Sequence, residues 1–468
     1  MSERLCASAL KTLPASIAAP AYDRNEQQVG IVHFGIGAFH RAHQAWYTDA
    51  AMNAGERDWS ILGVSLRSPG VAAQLNPQDG LYTLVECSAQ GRSARVIGSV
   101  HEVLVAGVAR ARLAIALTAP QTRIVSFTVT EKGYCRKADG SLDFDAAARG
   151  FYPFLSNALR ERQASGCGGL TLLSCDNLAD NGRQLARLMH EWLAREAPDL
   201  VEWFEAECTC PSTMVDRIVP ATTSADRSEV AQLLGCLDEG AVMTEPFSQW
   251  VIEDRFARGR PAWEKFGAQL VADVAPYETA KLRMLNGAHS ALAYLGLQRG
   301  HTYVHEAMGD GAIRPLIECI MRDEAAPTVV AAPGQDLDTY ADALLARFEN
   351  PALNHKLAQI AMDGSQKIPQ RWLETLEAQR LAGRKCPGLL TALAAWFLHL
   401  RGANGPVDDP MADTLSNLAL SNSNLQLATL LFTGDGLLSG FWNPLGIDIP
   451  ETPLDCGRRA IKHRLRTR

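Results

Sequence analysis

A chain of 468 residues with 47% hydrophobic and 21% charged residues is too long for one ordinary domain and too apolar to be disordered, so two globular domains are expected. The net charge of -7, with a basic tail (Arg458, Arg459, Lys462, Arg464, Arg466, Arg468) that leaves the rest more acidic still, argues against a nucleic-acid surface. The longest apolar run, LLTALAAWFLHL from Leu389, is too short to cross a bilayer, Lys11 and Pro14 interrupt any signal-like core, and the scattered cysteines lack metal-ligand spacing. A cytoplasmic protein with free thiols and no metal is expected.

In chain order, Val29–Phe34 (VGIVHF) reads as a short buried strand running straight into Gly35, Ile36, Gly37, Ala38, Phe39 and His40. Two glycines at that point permit a tight turn whose backbone N–H groups approach a pyrophosphate, which makes residues 35–39 candidate dinucleotide contacts. The third glycine of the usual fingerprint is absent, and a G-x-G turn in an unrelated loop is the plain alternative. A second strand over residues 59–66 follows where such folds read the adenosine ribose. It ends in Arg67 and Ser68 instead of an acid. That suits either the extra phosphate of NADP or a ribose left to solvent, so the residues themselves leave the cofactor open.

Further strands over 123–129 and 170–174 lead into Thr130, Glu131 and into Cys175, Asp176, Asn177. In an open parallel sheet the carboxyl ends of strands are where ligands sit, which puts Asn177 beside a nicotinamide or a substrate oxygen. An Asp-Asn turn opening a helix over 182–192 is as natural a reading. In PSTMVDRIVP, Asp216 and Arg217 lie among apolar residues and are expected to form an internal ion pair.

From residue 275 onward helices dominate, over 276–297, 303–323, 337–348, 369–382 and 388–401. The expected fold is therefore α/β, a Rossmann-like NAD(P)-binding domain over 1–274 followed by a mostly α-helical substrate and catalytic domain over 275–468, with the active site in the cleft between them. YETAKLRMLNGAHSALAYL sets Lys281, Asn286 and His289 on one apolar helix; at 100° per residue the latter two lie about 140° and about 80° around the axis from the lysine. A half-buried amine there exchanges a proton with a substrate hydroxyl near neutral pH, while the amide and imidazole hold the same oxygen. The alternative is a lysine reaching to solvent, an asparagine at a kink by Gly287 and a core histidine. In DGSQKIPQRW, Pro369 marks a helix start with Lys367 before it and Arg371 in its first turn. Cations there oppose the helix dipole, so both are candidates for gripping a carboxylate.

GIGAFHRAHQAWY, TVTEKGY, SCDN, PSTMVDRIVPA, EPFSQWVIED and above all KLRMLNGAH together resemble the polyol-specific long-chain dehydrogenases. That family includes mannitol 2-dehydrogenase and the hexuronate enzymes such as fructuronate reductase (mannonate oxidoreductase). The resemblance implies metal-independent hydride transfer between NAD(H) and a sugar carbon. It makes Lys281 the general acid/base, Asn177 and Asn286 the donors to the developing alkoxide, and His289 the group that orients the substrate. Asp216 matches a position near the substrate, and Glu278 and Glu131 match acids linking the lysine to solvent. Lys367 and Arg371 point within the family to a hexuronate enzyme interconverting D-mannonate and D-fructuronate; oxidation of D-mannitol or D-arabinitol, or a catalytically silent nucleotide-binding regulator, are the alternatives. Arg67 departs from the acid of the NAD-specific mannitol enzymes. The expected partner is a small sugar acid or polyol, with no nucleic acid or membrane, and the chain is expected to be a monomer.

Overall fold

The computed structural model describes residues 3–438 and 442–452; the basic tail singled out above lies outside them. The chain divides into two compact units, Met1–Val274 and Ala275–Arg468. No helix among the described residues is long and apolar enough to cross a membrane.

The first unit is built on a five-stranded parallel sheet whose order in space is Val100–Val105, β2 (Ser60–Ser65), β1 (Val29–Phe34), Ile124–Phe127, Thr171–Ser174. The first strand in sequence is thus central, and the order reverses beside it, which is the Rossmann arrangement. Strands buried on both faces need mostly apolar residues, and these have them apart from a few buried polar side chains such as His33 and Ser126. Val32, Phe34, Leu62, Val64, Val125 and Phe127 pack to one side with Phe151, Leu188 and Trp192; Ile31, Ile61, Val103, Ile124 and Leu173 pack to the other with Tyr47, Trp250 and Trp263. Each such side chain stabilises the fold by about 1.5–3 kcal/mol.

Two small sheets were not anticipated. Tyr82–Ser88 pairs antiparallel with Gly91–Ile97 and parallel with Val242–Thr244, and Gln249–Glu253 lies between Thr213–Asp216 and Gln269–Val271. Four of their strands are only three to five residues long, and the two of seven residues mix polar with apolar side chains, so none stands out by periodicity.

The second unit is helical. Its central rod runs Ala275–Ala280, Lys281–Asn286, Gly287–Gln298, and the middle stretch is π-helical. The rod packs against Pro387–Leu400 and Leu357–Ala361. Two expectations are corrected. The helix expected over 303–323 is interrupted between Val304–Met308 and Arg314–Cys319, where Gly309 and Gly311 break the ladder. The helix expected to start at Pro369 starts five residues earlier, as Gly364–Ile368, and passes the proline in a π-helical turn, Pro369–Leu373, before Glu374–Leu381. A proline forfeits one intrahelical bond, and a widened turn absorbs that loss without ending the helix.

Within this unit the fully buried Glu324 carboxylate accepts from the backbone N–H groups of Gly388 (2.6 Å) and Leu389 (2.8 Å), the first residues of Pro387–Leu400. Burial lifts its pKa from 4.5 to about 7 even so. The folded chain therefore keeps a proton that the unfolded chain has released. The associated stability is present below the unfolded value and lost as pH rises through the folded one. The thermal midpoint should fall by a few degrees between about pH 5 and about pH 8, and Glu324→Gln should flatten that slope in a melting series.

Candidate active site

In the first unit the candidate residues sit on loops that follow the carboxyl ends of adjacent strands. Gly35 leaves β1 with φ +96°, and a Cβ there would lie 2.0 Å from the Thr128 carbonyl oxygen, so only glycine fits. Its N–H donates to the Val64 carbonyl at 2.9 Å, and the Gly37 N–H turns back onto the Gly35 carbonyl at 2.6 Å. Ile36 is buried over Gly63, while Gly37 faces open space: an added Cβ would meet only the Gly35 carbonyl oxygen, at 3.8 Å. Close packing behind the turn and room in front of it are what a dinucleotide phosphate requires, so the residues fit one. Ala38 and Phe39 open the short helix α1 (Ala38–Ala42) and are half-buried; Arg67 is exposed beyond β2.

Where the third glycine of the fingerprint would be, His40 is fully buried and stacks on His33 with ring centroids 3.4 Å apart. His33 Nδ1 is 2.8 Å from Ser126 Oγ and its Nε2 is 2.8 Å from Thr128 Oγ1, which donates to the Gly35 carbonyl at 2.5 Å. Burial pushes both imidazoles down, His33 to about 3, and keeps them neutral. The rings thus clamp the turn to the neighbouring strand. Only the buried histidine pattern of VHFGIGAFH could have signalled this.

Asp176, read in the sequence only as half of an Asp-Asn turn, organises the next loop. Its carboxylate accepts from the backbone N–H groups of Val129 and Thr130 (2.9 Å each) and from Tyr134 Oη (2.9 Å). Thr130 has φ +63°, so this anchoring holds an unfavourable backbone conformation at the start of Thr130–Gly133, the short helix that carries the exposed Glu131. Asn181 Nδ2 holds the Asp176 carbonyl (3.0 Å) and the Thr213 carbonyl (2.9 Å), and Thr213 Oγ1 donates to the Ser174 carbonyl at 2.6 Å. Asn177 is exposed on the turn so fixed, and the buried Asp216 ends the strand that Thr213 begins. The ion pair recorded for Arg217 is not with Asp216 as expected: Arg217 Nη2 lies 2.6 Å from Glu86 Oε1, and the guanidinium also donates to the Glu245 and Ala42 carbonyls. Successive residues of an extended chain point to opposite sides, which parts the two neighbours.

In the second unit Lys281 is 9% exposed, as is His289, and Asn286 is half-buried. The π-helical stretch corrects the angles expected from an α-helix: Asn286 stands at i+5 from Lys281, the spacing of the π hydrogen bond, which brings the two positions nearer to one face of the rod. Glu278, half-buried, precedes the lysine by three residues. The His289 ring is 4.3 Å from Phe348 and 5.4 Å, edge-on, from His355, and its Nε2 has no hydrogen-bond partner among the described residues. Burial first, then His355, Arg347 and Arg371, hold its pKa well below the ordinary value, so it is neutral. Arg347, Phe348 and His355 were missed because they belong to a separate segment with no periodic tie to Lys281.

Arg371 reaches the same rod. Its Nη1 donates to Ser290 Oγ (2.8 Å) and the Asn286 carbonyl (3.3 Å), and burial lowers its pKa to about 10. Lys367 donates to the Met362 carbonyl at 2.6 Å and lies 3.9 Å from Asp363.

Residues 29–265 match the mannitol dehydrogenase Rossmann domain and residues 273–435 the mannitol dehydrogenase C-terminal domain. The chain belongs to the mannitol dehydrogenase family. It is 42% identical over 466 residues to an uncharacterized oxidoreductase, YeiQ, of Escherichia coli (strain K12), covering 94% of this chain and 93% of that one. It is 42% identical over 406 residues to D-mannonate oxidoreductase of the same organism, covering 83% of each. Among solved structures, the Pseudomonas fluorescens mannitol 2-dehydrogenase ternary complex with NAD and D-mannitol matches with a TM-score of 0.78 and 35% identity over 99% of this chain and 100% of that chain. The family comprises NAD-dependent oxidoreductases of secondary alcohols, and this chain is one that acts on a polyol or sugar acid.

Asp176→Ala removes an acceptor shared by two backbone amides and a phenol. It should cost on the order of 1–3 kcal/mol, read as a lowered unfolding midpoint, and turnover should fall as the Asn177 turn loosens.

Proposed function

We propose that the protein interconverts D-mannonate and D-fructuronate with NAD(H). The observation that carries this choice over a neutral polyol is Arg371: it is half-buried, and its hydrogen-bond partners are a hydroxyl and a carbonyl, with no carboxylate among the described residues bonded to it. A half-buried guanidinium with only neutral partners favours an anionic ligand, and a sugar acid brings a carboxylate. Lys367 adds positive potential beside it. The 42% identity to a D-mannonate oxidoreductase supports the same reading.

In this reading Lys281 takes the proton from the substrate's secondary hydroxyl during oxidation and returns it to the alkoxide during reduction. When bound, the nicotinamide accepts or supplies the hydride. Asn177 and Asn286 donate their amide N–H groups to the oxygen, an interaction that strengthens as negative charge develops there and so lowers the barrier more than it tightens substrate binding. His289, neutral, hydrogen-bonds a neighbouring hydroxyl and sets the carbon's orientation. Asp216 holds a further hydroxyl. Glu278 and Glu131 pass the proton between Lys281 and water. The expected cofactor contacts are Gly35, Ile36, Gly37, Ala38, Phe39 and Arg67.

Nucleotide absorbance followed with fructuronate, mannonate, mannitol and arabinitol should change fastest with the first two. Faster turnover of mannitol transfers the assignment to a mannitol 2-dehydrogenase, and no turnover of any substrate despite NADH binding marks a nucleotide-binding regulator. Arg371→Met should raise the KM for fructuronate by about ten- to a hundredfold, in line with loss of a charge-assisted bond, while changing any residual mannitol KM much less. Equal effects on both substrates would remove Arg371 from carboxylate recognition.

A further inference from the structure

The corner that follows β2 is where a Rossmann domain meets the adenosine ribose, and the chemistry there is decided by charge: a carboxylate bonds the free 2′-hydroxyl of NAD, whereas a guanidinium takes the 2′-phosphate of NADP. No aspartate or glutamate occurs over residues 59–78, which span β2 and its loop, or over 103–130, which span the loop after the adjacent edge strand and the strand on the far side of β1. The nearest acid on that edge strand, Glu102, is engaged by Arg112. What the corner does carry is cations. Arg67 stands exposed in a turn fixed by Ser65 Oγ donating to the Ser68 carbonyl (2.5 Å) and the Gly70 N–H donating to Ser68 Oγ (3.2 Å). Arg149, also exposed, acts together with Arg67 on the half-buried Cys135 thiol, each lowering its pKa against a larger upward push from burial and then from Asp143, so the two guanidiniums share one neighbourhood, with that single carboxylate beside them.

A cavity of about 400 Å³ adjoins Arg149. Arg110 and Arg149 line it, with apolar walls from Ala114, Pro153 and Phe154 and a single acid, Glu161. Flat apolar walls with paired cations suit a purine and a neighbouring phosphate.

We propose that this corner takes a 2′-phosphate, gripped by Arg67 and Arg149, so that the chain binds NADP(H) at least as tightly as NAD(H). The inference concerns cofactor binding alone and stands or falls without any sugar substrate.

The test measures dissociation constants of NADPH and NADH on the full chain by fluorescence, and of adenosine 2′,5′-bisphosphate and AMP by calorimetry. NADPH should bind no more weakly than NADH, and the bisphosphate about tenfold or more tighter than AMP. Arg67→Glu should weaken both 2′-phosphorylated ligands by about tenfold or more relative to NADH and AMP, with an unfolding midpoint equal to that of the unaltered chain reporting an intact fold. Arg149→Gln should show a loss of the same sign. NADPH binding weaker than NADH in the unaltered chain, or a preference indifferent to Arg67→Glu, overturns the proposal.

Discussion

The helical unit depends on a widened turn inside its most buried rod. Lys281–Asn286 follows π-helical spacing, and the carbonyls at its end accept from side chains of a second such turn: Arg371 Nη1 reaches Asn286 and Trp372 Nε1 reaches Gly287 at 2.9 Å. Arg283, from the middle of the first turn, donates to the Thr328 carbonyl and the Glu374 carboxylate, 2.7 Å each. Two irregular turns thus support one another. Such turns are uncommon in helices and gather at functional sites, because they redirect side chains that a regular helix would fan apart. Withdrawing a lysine and a histidine from water is costly unless chemistry or binding requires it. The proposed pairing of an acid/base amine with an amide donor is therefore a property of backbone shape as much as of residue type.

The dinucleotide unit solves a different problem, that of holding a glycine turn without a third glycine. Where the usual fingerprint brings helix and strand together by omitting a side chain, this chain inserts the His40 ring and stacks it on His33. The cost of burying two imidazoles is met by keeping both neutral and giving His33 two hydroxyl partners. The Asp176 carboxylate does the corresponding work on the next two strands, fixing the loops that bear Asn177 and Glu131.

Much of this was legible in the sequence because it rests on local rules. Val29–Phe34 and its glycine turn were visible as an apolar run ending in residues that only a tight turn needs, and the long helices were visible by their 3.6-residue period. The π-helical turns were not, since a one-residue widening scarcely disturbs an apolar pattern. Pro369 was misread as a helix start because the rule for prolines assumes α-helical bonding, which that turn does not follow. Arg371 was picked out on a helix-dipole argument that the earlier start at Gly364 removes; what distinguishes it is its neutral surroundings, and those are tertiary. The anchoring role of Asp176 and the place of His355 escaped for the same reason. Their partners lie far along the chain, and no spacing announces them.

The central claim is that the buried Lys281 amine carries the substrate proton. Chemical rescue addresses it most directly: turnover of Lys281→Ala is measured with fructuronate and NADH as small primary amines of graded basicity are added. The account predicts a variant slowed by several orders of magnitude whose rate rises with amine concentration and tracks amine basicity. A variant that turns over near the original rate, keeps the original pH dependence and ignores added amines would contradict it.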